Sequence, residues 1–441
     1  MSKTMLQTIT GPFWKRGARY LSCALPLLLG ASHVPAQADA PVNFQYRQCV
    51  APEEFGARHD GNNDDTAAIQ AAIDASRAGD PARGISRGTP VCFSAGSYKI
   101  TKGLDFTEGP DGWKIYGAGM GTATVIDAHG DEQLPIMDFT GTTRLRISDL
   151  TVNGGSGGWT AGILVGRSAD GRGDEPYLDN VEVTMVNANL GNTIAALINS
   201  CADLMVVERS KFYGPTGIIV SGRNIRNVRT RNKSGFYSGG GNSCNTLQRV
   251  RDSTITSYRG EGLLYSGGDS LTVDATYFSV NGTSTAAVRI VPEGGGGGNN
   301  VYLSNIRTEV QSSAGTTYVL DALAGSNGGR IDGVFDAKNG PYIHVAPGIN
   351  LAQYLIQMSL IYPKTPLAGG GGNISNSIIS SVQGAPTDLG PNGVTDLILR
   401  STPYGDLTMN WNGPHLLLGP DTKQASSGRA NIGTLKTGPA R

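Results

Sequence analysis

Three segments of this chain share one shape: Gly162-Ile163-Leu164-Val165-Gly166, Gly217-Ile218-Ile219-Val220-Ser221-Gly222 and Gly262-Leu263-Leu264-Tyr265-Ser266-Gly267. Each is a glycine corner feeding a short apolar strand that ends at a small residue. Related strands are read at 194–199, 236–238, 286–291, 317–321 and 342–345. Successive members lie on the order of 20 to 30 residues apart, the length of one solenoid turn. A unit this short cannot bury its own apolar face, so stacking on its neighbours must supply the core. The uneven spacing implies insertions between strands. With 63 glycines in 441 residues, composition favours an all-β solenoid over several globular domains.

The segment before the repeats is of another kind. Asp60-Gly61 supplies a turn, and Asp64 can cap a helix that starts at Asp65 and runs to about Arg77. Ile69, Ala72 and Ile73 form one narrow apolar stripe, and Gly79 and Pro81 are stop signals. So short a helix is marginal alone and must lie against something larger. Val91 to Ile100 then reads as a strand, a glycine corner and a second strand, followed by strands at 113–119, 123–127 and 144–154. This succession, from residue 55 to 154, resembles the N-terminal part of the pectate-lyase-like superfamily, which includes polygalacturonase-related proteins and phage tailspikes. The resemblance implies an all-β, single-stranded right-handed parallel β-helix with a short N-terminal capping α-helix. Beyond residue 154 the likeness is one of repeat style.

The remaining organisation follows from simpler signals. Lys15, Arg16 and Arg19 precede an apolar run from Leu21 to Leu29, and Ala36-Gln37-Ala38 offers a cleavage site. Residues 1–38 are therefore read as a secretory signal, giving a secreted or periplasmic product with no membrane contact after cleavage. Residues 39–90 form the N-terminal segment and cap, 91–384 the β-helix, 385–425 C-terminal strands with a hairpin of 394–399 and 407–411, and 426–441 a loose tail. Four cysteines enter an oxidising compartment, and of the three pairings we favour Cys49 with Cys92 and Cys201 with Cys244.

Several function classes are disfavoured. Lys plus Arg and Asp plus Glu both number 36, so no net field attracts nucleic acid or anionic lipid. No Cys/His cluster suggests zinc. Calcium could sit among Asp and Asn side chains, but residues 59–65 lack the spacing of a calcium loop, and no cofactor is expected. The glycine runs 294–298 and 369–372 lack the Lys and following helix of a phosphate cradle.

Coils stacked about 4.8 Å apart align their outward residues in rows, and roughly ten coils make a rod some 50 Å long. A groove along such a rod suits an extended polymer. The expected partner is a polysaccharide, handled by a monomer or a homotrimer. The leading expectation is an exported carbohydrate-active enzyme that cleaves it by hydrolysis or β-elimination. The alternative is a non-catalytic polysaccharide-binding or adhesin-like β-helix.

Hydrolysis needs two carboxylates about the glycosidic bond. Glu261 stands where Ala161 and Thr216 stand in equivalent strands, with Asp269 after its strand, Asp252 before it, and Tyr265 as a ring to stack on sugar. Elimination from a uronate needs a base and positive charge for the developing dianion. Within the run Arg223, Arg226, Arg229, Arg231 and Lys233, Arg229 and Arg231 are expected to form an outward basic ladder with Arg249 and Arg251 one coil later. The better-known catalytic signatures of the superfamily are absent, and His344 is read as a lone strand histidine with a structural role.

Overall fold

The computed structural model describes residues 49–155, 157–186, 193–222, 225–238, 244–292, 298–361, 367–375 and 377–381, with two further strands at 396–399 and 415–418. The proposed signal sequence, the 426–441 tail, Arg223 and most of the glycine run 294–298 lie outside these residues.

The chain is a right-handed parallel β-helix, with three strands per coil over most of its length. One face is a sheet of ten short strands, from Leu104–Asp105 through Ala161–Gly166, Ala195–Ser200, Thr216–Ser221, Glu261–Ser266, Ala286–Ile290 and Tyr318–Ala322 to Ile343–Val345 and Ala368–Gly369. Every pairing in it is parallel and in register. Met137, Ile163, Leu197, Ile218, Leu263, Val288, Leu320 and Ile343 stack in one inward row, all fully buried or nearly so. We call this the groove sheet.

The other two faces join into a single twenty-stranded sheet, because long strands such as Tyr177–Thr184 and Val301–Val310 run round the corner between them. That corner is built by one left-handed residue per coil: Asp149, Asn180, Arg209, Asp252, Ala275 and Asn305 all have φ between 45° and 58°. The turn lets inward residues on both sides, Val207 and Phe212 or Val250 and Ile255, enter the same core.

The N-terminal end is sealed as the sequence suggests. The helix Thr66–Ala78 buries Ile69, Ala72 and Ile73, and the Asp64 carboxylate accepts the Thr66 N–H at 3.0 Å. The helix begins one residue later than expected, because Asp65 turns its carboxylate back onto the Arg58 and His59 N–H groups. The acidic turn itself is also a strand. Asp60–Asp64 pairs with Gly96–Ile100, and the register slips because four steps on one side oppose two on the other. The slack is taken up by an Asx turn in which Asp60 accepts the Asn62 and Asn63 N–H groups. Disulfides join Cys49 to Cys92 and Cys201 to Cys244.

Two strand expectations are corrected. Phe236 is not a rung of the groove sheet; it makes an isolated antiparallel bridge to Ser168. Asp396–Leu399 is not one arm of a hairpin. It pairs in parallel with Ser377–Ser381 and with His415–Leu418, continuing the solenoid, while 407–411 lie outside the described residues.

Candidate functional site

The outer face of the groove sheet is read by following the residue after each inward apolar one. In register these are Asp105, Asp138, Leu164, Ile198, Ile219, Leu264, Arg289, Asp321 and His344. The row is acidic at its start, apolar in the middle and charged again at the end.

The apolar middle is covered. Residues 225–238 cross it as a strap, with Val228 buried among Leu164, Ile198, Ile219 and Leu264 and with Phe236 packed alongside. Its middle is tied to the start of the row. The Thr230 hydroxyl and Arg231 N–H donate to Asp138 at 2.7 and 2.5 Å, and the Arg231 guanidinium pairs with Glu132 at 2.6 Å. Asp138 is wholly buried, and desolvation pushes its carboxyl above the ordinary range against the pull of these donors. The groove is therefore not continuous over the described coils.

Beyond the strap the row is partly open, with the Arg289 and His344 side chains 21% and 22% exposed. Arg289 donates through Nη1 to Glu261, through Nε to Asp321 at 2.6 Å and through Nη2 to the Thr285 hydroxyl at 2.7 Å. Asp321 uses its other oxygen on His344 Nδ1, at 2.7 Å. Tyr318 stacks on the His344 ring, centroids 4.8 Å apart and planes 19° from parallel. Burial, then the Asp321 charge, push the Tyr318 hydroxyl up, so it remains a proton donor in neutral solution. Arg226 from the strap approaches Glu261 at 3.6 Å with nearly half its side chain in solvent.

This arrangement is costly. The Glu261 and Asp321 side chains are 2% and 4% exposed, and desolvating two carboxylates costs several kcal/mol each before the shared guanidinium offsets it. With Nδ1–H donated to Asp321, His344 Nε2 offers a lone pair, the arrangement of an oriented base. Gly370 borders that edge: a Cβ there would stand 2.7 Å from Nε2.

Of the residues expected from sequence, Glu261 alone belongs to this cluster, and its cations are Arg289 and Arg226. Asp252 is the left-handed corner residue between the other two faces of its coil. Asp269 lies past the far end of the strand Glu261–Ser266, whose rise alone is about 17 Å. Tyr265 cannot stack on sugar. It points inward and is fully buried, because its register partners Val220 and Ile290 are core residues. The basic ladder does not form: Arg229 and Arg231 lie in the strap, over Gln133 and Glu132, whereas Arg249 and Arg251 lie on the twenty-stranded sheet, with Arg251 paired to Glu208. His344 is not a lone histidine. Arg289, Asp321 and Tyr318 were not singled out, although aligning the strands on their inward residues shows Arg, Asp and His replacing Leu and Ile in one row.

The profile of the family described as Rhamnogalacturonase A/epimerase, pectate lyase-like, matches residues 50–291, more than half of the chain. The chain belongs to this family. It is 35% identical over 151 residues to Mannuronan C5-epimerase AlgE2 of Azotobacter vinelandii, covering 30% of this chain and 14% of that protein. It is 38% identical over 112 residues to Alginate lyase 7 of the same organism, covering 23% of this chain and 12% of that one. The chain thus matches a small part of these relatives' own lengths. Among solved structures, the A-module of the Azotobacter vinelandii Mannuronan C-5 epimerase AlgE4 superposes with a TM-score of 0.53 at 17% identity, over 84% of this chain and 99% of that one, a likeness of fold.

Proposed function

We propose that the chain is an exported enzyme acting on a carboxylate-bearing polysaccharide, and that it removes the proton beside a uronate carboxylate at the His344 site. The observation that carries this reading is the Asp321–His344 pair with Tyr318 on the open part of the groove sheet. His344 Nε2 takes the C5 proton and the electron pair moves towards the sugar carboxylate; Arg289 is balanced by Glu261 and Asp321, so the half-exposed Arg226, held to Glu261 only at 3.6 Å, is the cation placed to swing to the dianion. Cleavage of the C4–O bond, with Tyr318 protonating the leaving oxygen, completes β-elimination. Hydrolysis is less well supported, since Glu261 and Asp321 are both spent on Arg289 and neither is left free to protonate a glycosidic oxygen. Relatives whose names specify mannuronan and alginate support an acidic polymer, and two disulfides support export.

The test is a panel of acidic and neutral polysaccharides. Acidic ones should yield unsaturated uronate, and His344→Ala should lower kcat by about 10²- to 10⁴-fold in a protein that still melts cooperatively and is folded at the assay temperature. A His344→Ala protein of full activity, or turnover confined to neutral polymers, would overturn the reading.

A further inference from the structure

At the opposite end of the groove sheet, between the last turn of the cap helix and the strap, lies an open hollow of about 460 Å³. Four cations line it, Arg77, Arg87, Arg231 and Lys233, facing Asp105 and Glu108. Two of the cations are committed. Arg77 donates to the Asp105 carbonyl and reaches the Asp74 and Asp105 carboxylates at 3.5 and 3.7 Å, and Arg231 is held by Glu132 and the Pro135 carbonyl. Among the described residues, Arg87 and Lys233 make no ion pair and Arg77 Nε is a buried donor with no hydrogen-bond partner. Asp105 is fixed by the Thr107 N–H and hydroxyl at 2.9 and 2.7 Å. The uncommitted charge of the hollow is therefore positive, opposed by Glu108 alone.

We propose that this hollow binds a carboxylate-bearing sugar unit of the same polymer chain whose reacting unit lies at His344, a proposal that rests on the polyuronate reading above. Its volume is within the range of small-ligand sites. Arg and Lys donors suit a carboxylate, while fixed Asp and Thr oxygens can accept from sugar hydroxyls. Asp105 and His344 are eight strands apart in one sheet, about 38 Å at ordinary strand spacing. Between them the strap covers the sheet, so a polymer crosses over it and is held at both ends. The second contact raises apparent affinity for long chains without entering the chemistry.

The experiment uses the full chain and the double variant Arg87→Ser/Lys233→Ser, two exposed residues whose loss leaves the core untouched. Calorimetric titration in a His344→Ala background, with oligouronates, neutral oligosaccharides of equal length and inorganic sulfate, reads the hollow without turnover. Oligouronate affinity should fall at least tenfold in the double variant, with neutral sugars and sulfate binding weakly to both proteins. In the active background, KM for long polymer should rise at constant kcat, while oligomers too short to span 38 Å should be unaffected. Unchanged oligouronate binding, or sulfate competing as well as the sugar, overturns the proposal. Binding without turnover of any acidic polymer leaves the hollow standing and defeats the His344 reading instead.

Discussion

The covered and open stretches of the groove sheet have the same backbone and the same inward row, yet opposite outer rows. Under the strap, Leu164, Ile198, Ile219 and Leu264 bury apolar area against Val228 and Phe236, and the surface is closed. Further along the same row, Arg289 and His344 face outward with 21% and 22% of their side chains exposed, and the strap's described residues do not pack an apolar side chain over them. The first pattern is what stability favours. Replacing a well-packed apolar row by a desolvated ion-pair chain gains little stability and is often worse than neutral. The charged row therefore fits the proposed chemical role better than a stabilising one, and the difference marks this stretch as the candidate site.

Removing the guanidinium attacks the open row most directly. Arg289→Leu removes the one cation shared by two buried carboxylates, leaving Asp321 with His344 and Glu261 with Arg226 at 3.6 Å, and should cost about 3–5 kcal/mol, seen as a lower denaturant midpoint. A cost under 1 kcal/mol would mean the row is not held by charge. The covered half is probed by Cys201→Ser/Cys244→Ser, which opens a link between residues 43 apart at the strap's exit. The expected loss is about 2–4 kcal/mol, with faster proteolysis within 225–238.

Asp138 gives a smaller, pH-dependent test of how the strap is pinned. Its folded pKa is raised, so its contribution is full below the unfolded value of about 3.9 and is lost as pH rises through the folded value. The stability difference between wild type and Asp138→Asn, followed by melting temperature from about pH 4 to 8, should shift in favour of the variant as pH rises. The smallest effect belongs to Tyr265→Phe. The Tyr265 hydroxyl is buried without a hydrogen-bond partner among the described residues, so its removal should alter stability by no more than about 0.5 kcal/mol and leave activity intact. A loss of activity would return Tyr265 to the site.

Much of the fold was legible because its signals are local. The stop at Gly79, the helix cap at Asp64 and the glycine-cornered strands are set by neighbouring residues, and the stacking of Ile163, Ile218 and Leu263 follows from their common pattern. The site was less legible because it depends on register between coils 23 to 32 residues apart in sequence. Glu261 could be placed by comparison with Ala161 and Thr216, but pairing it with Arg289 needs the strand Ala286–Ile290 aligned on Val288. Tyr265 misled because an aromatic in an apolar strand carries no mark of which face it takes. The basic ladder failed for a different reason: charged residues at alternate positions suggested a strand, and the strap's tertiary contacts with Asp138 and Glu132 overrode that pattern.

In a stack of coils, each contacts chiefly its neighbours, so order can be lost piecemeal along the axis. The helix lid and the Cys49–Cys92 link hold the first coils, and the strap with Cys201–Cys244 binds the next several together. Arg289, Asp321 and His344 lie past both fastenings. On heating, the molecule should then lose the Arg289–Asp321–His344 arrangement while most of its length is still wound, so the proposed activity would fail before the bulk fold does.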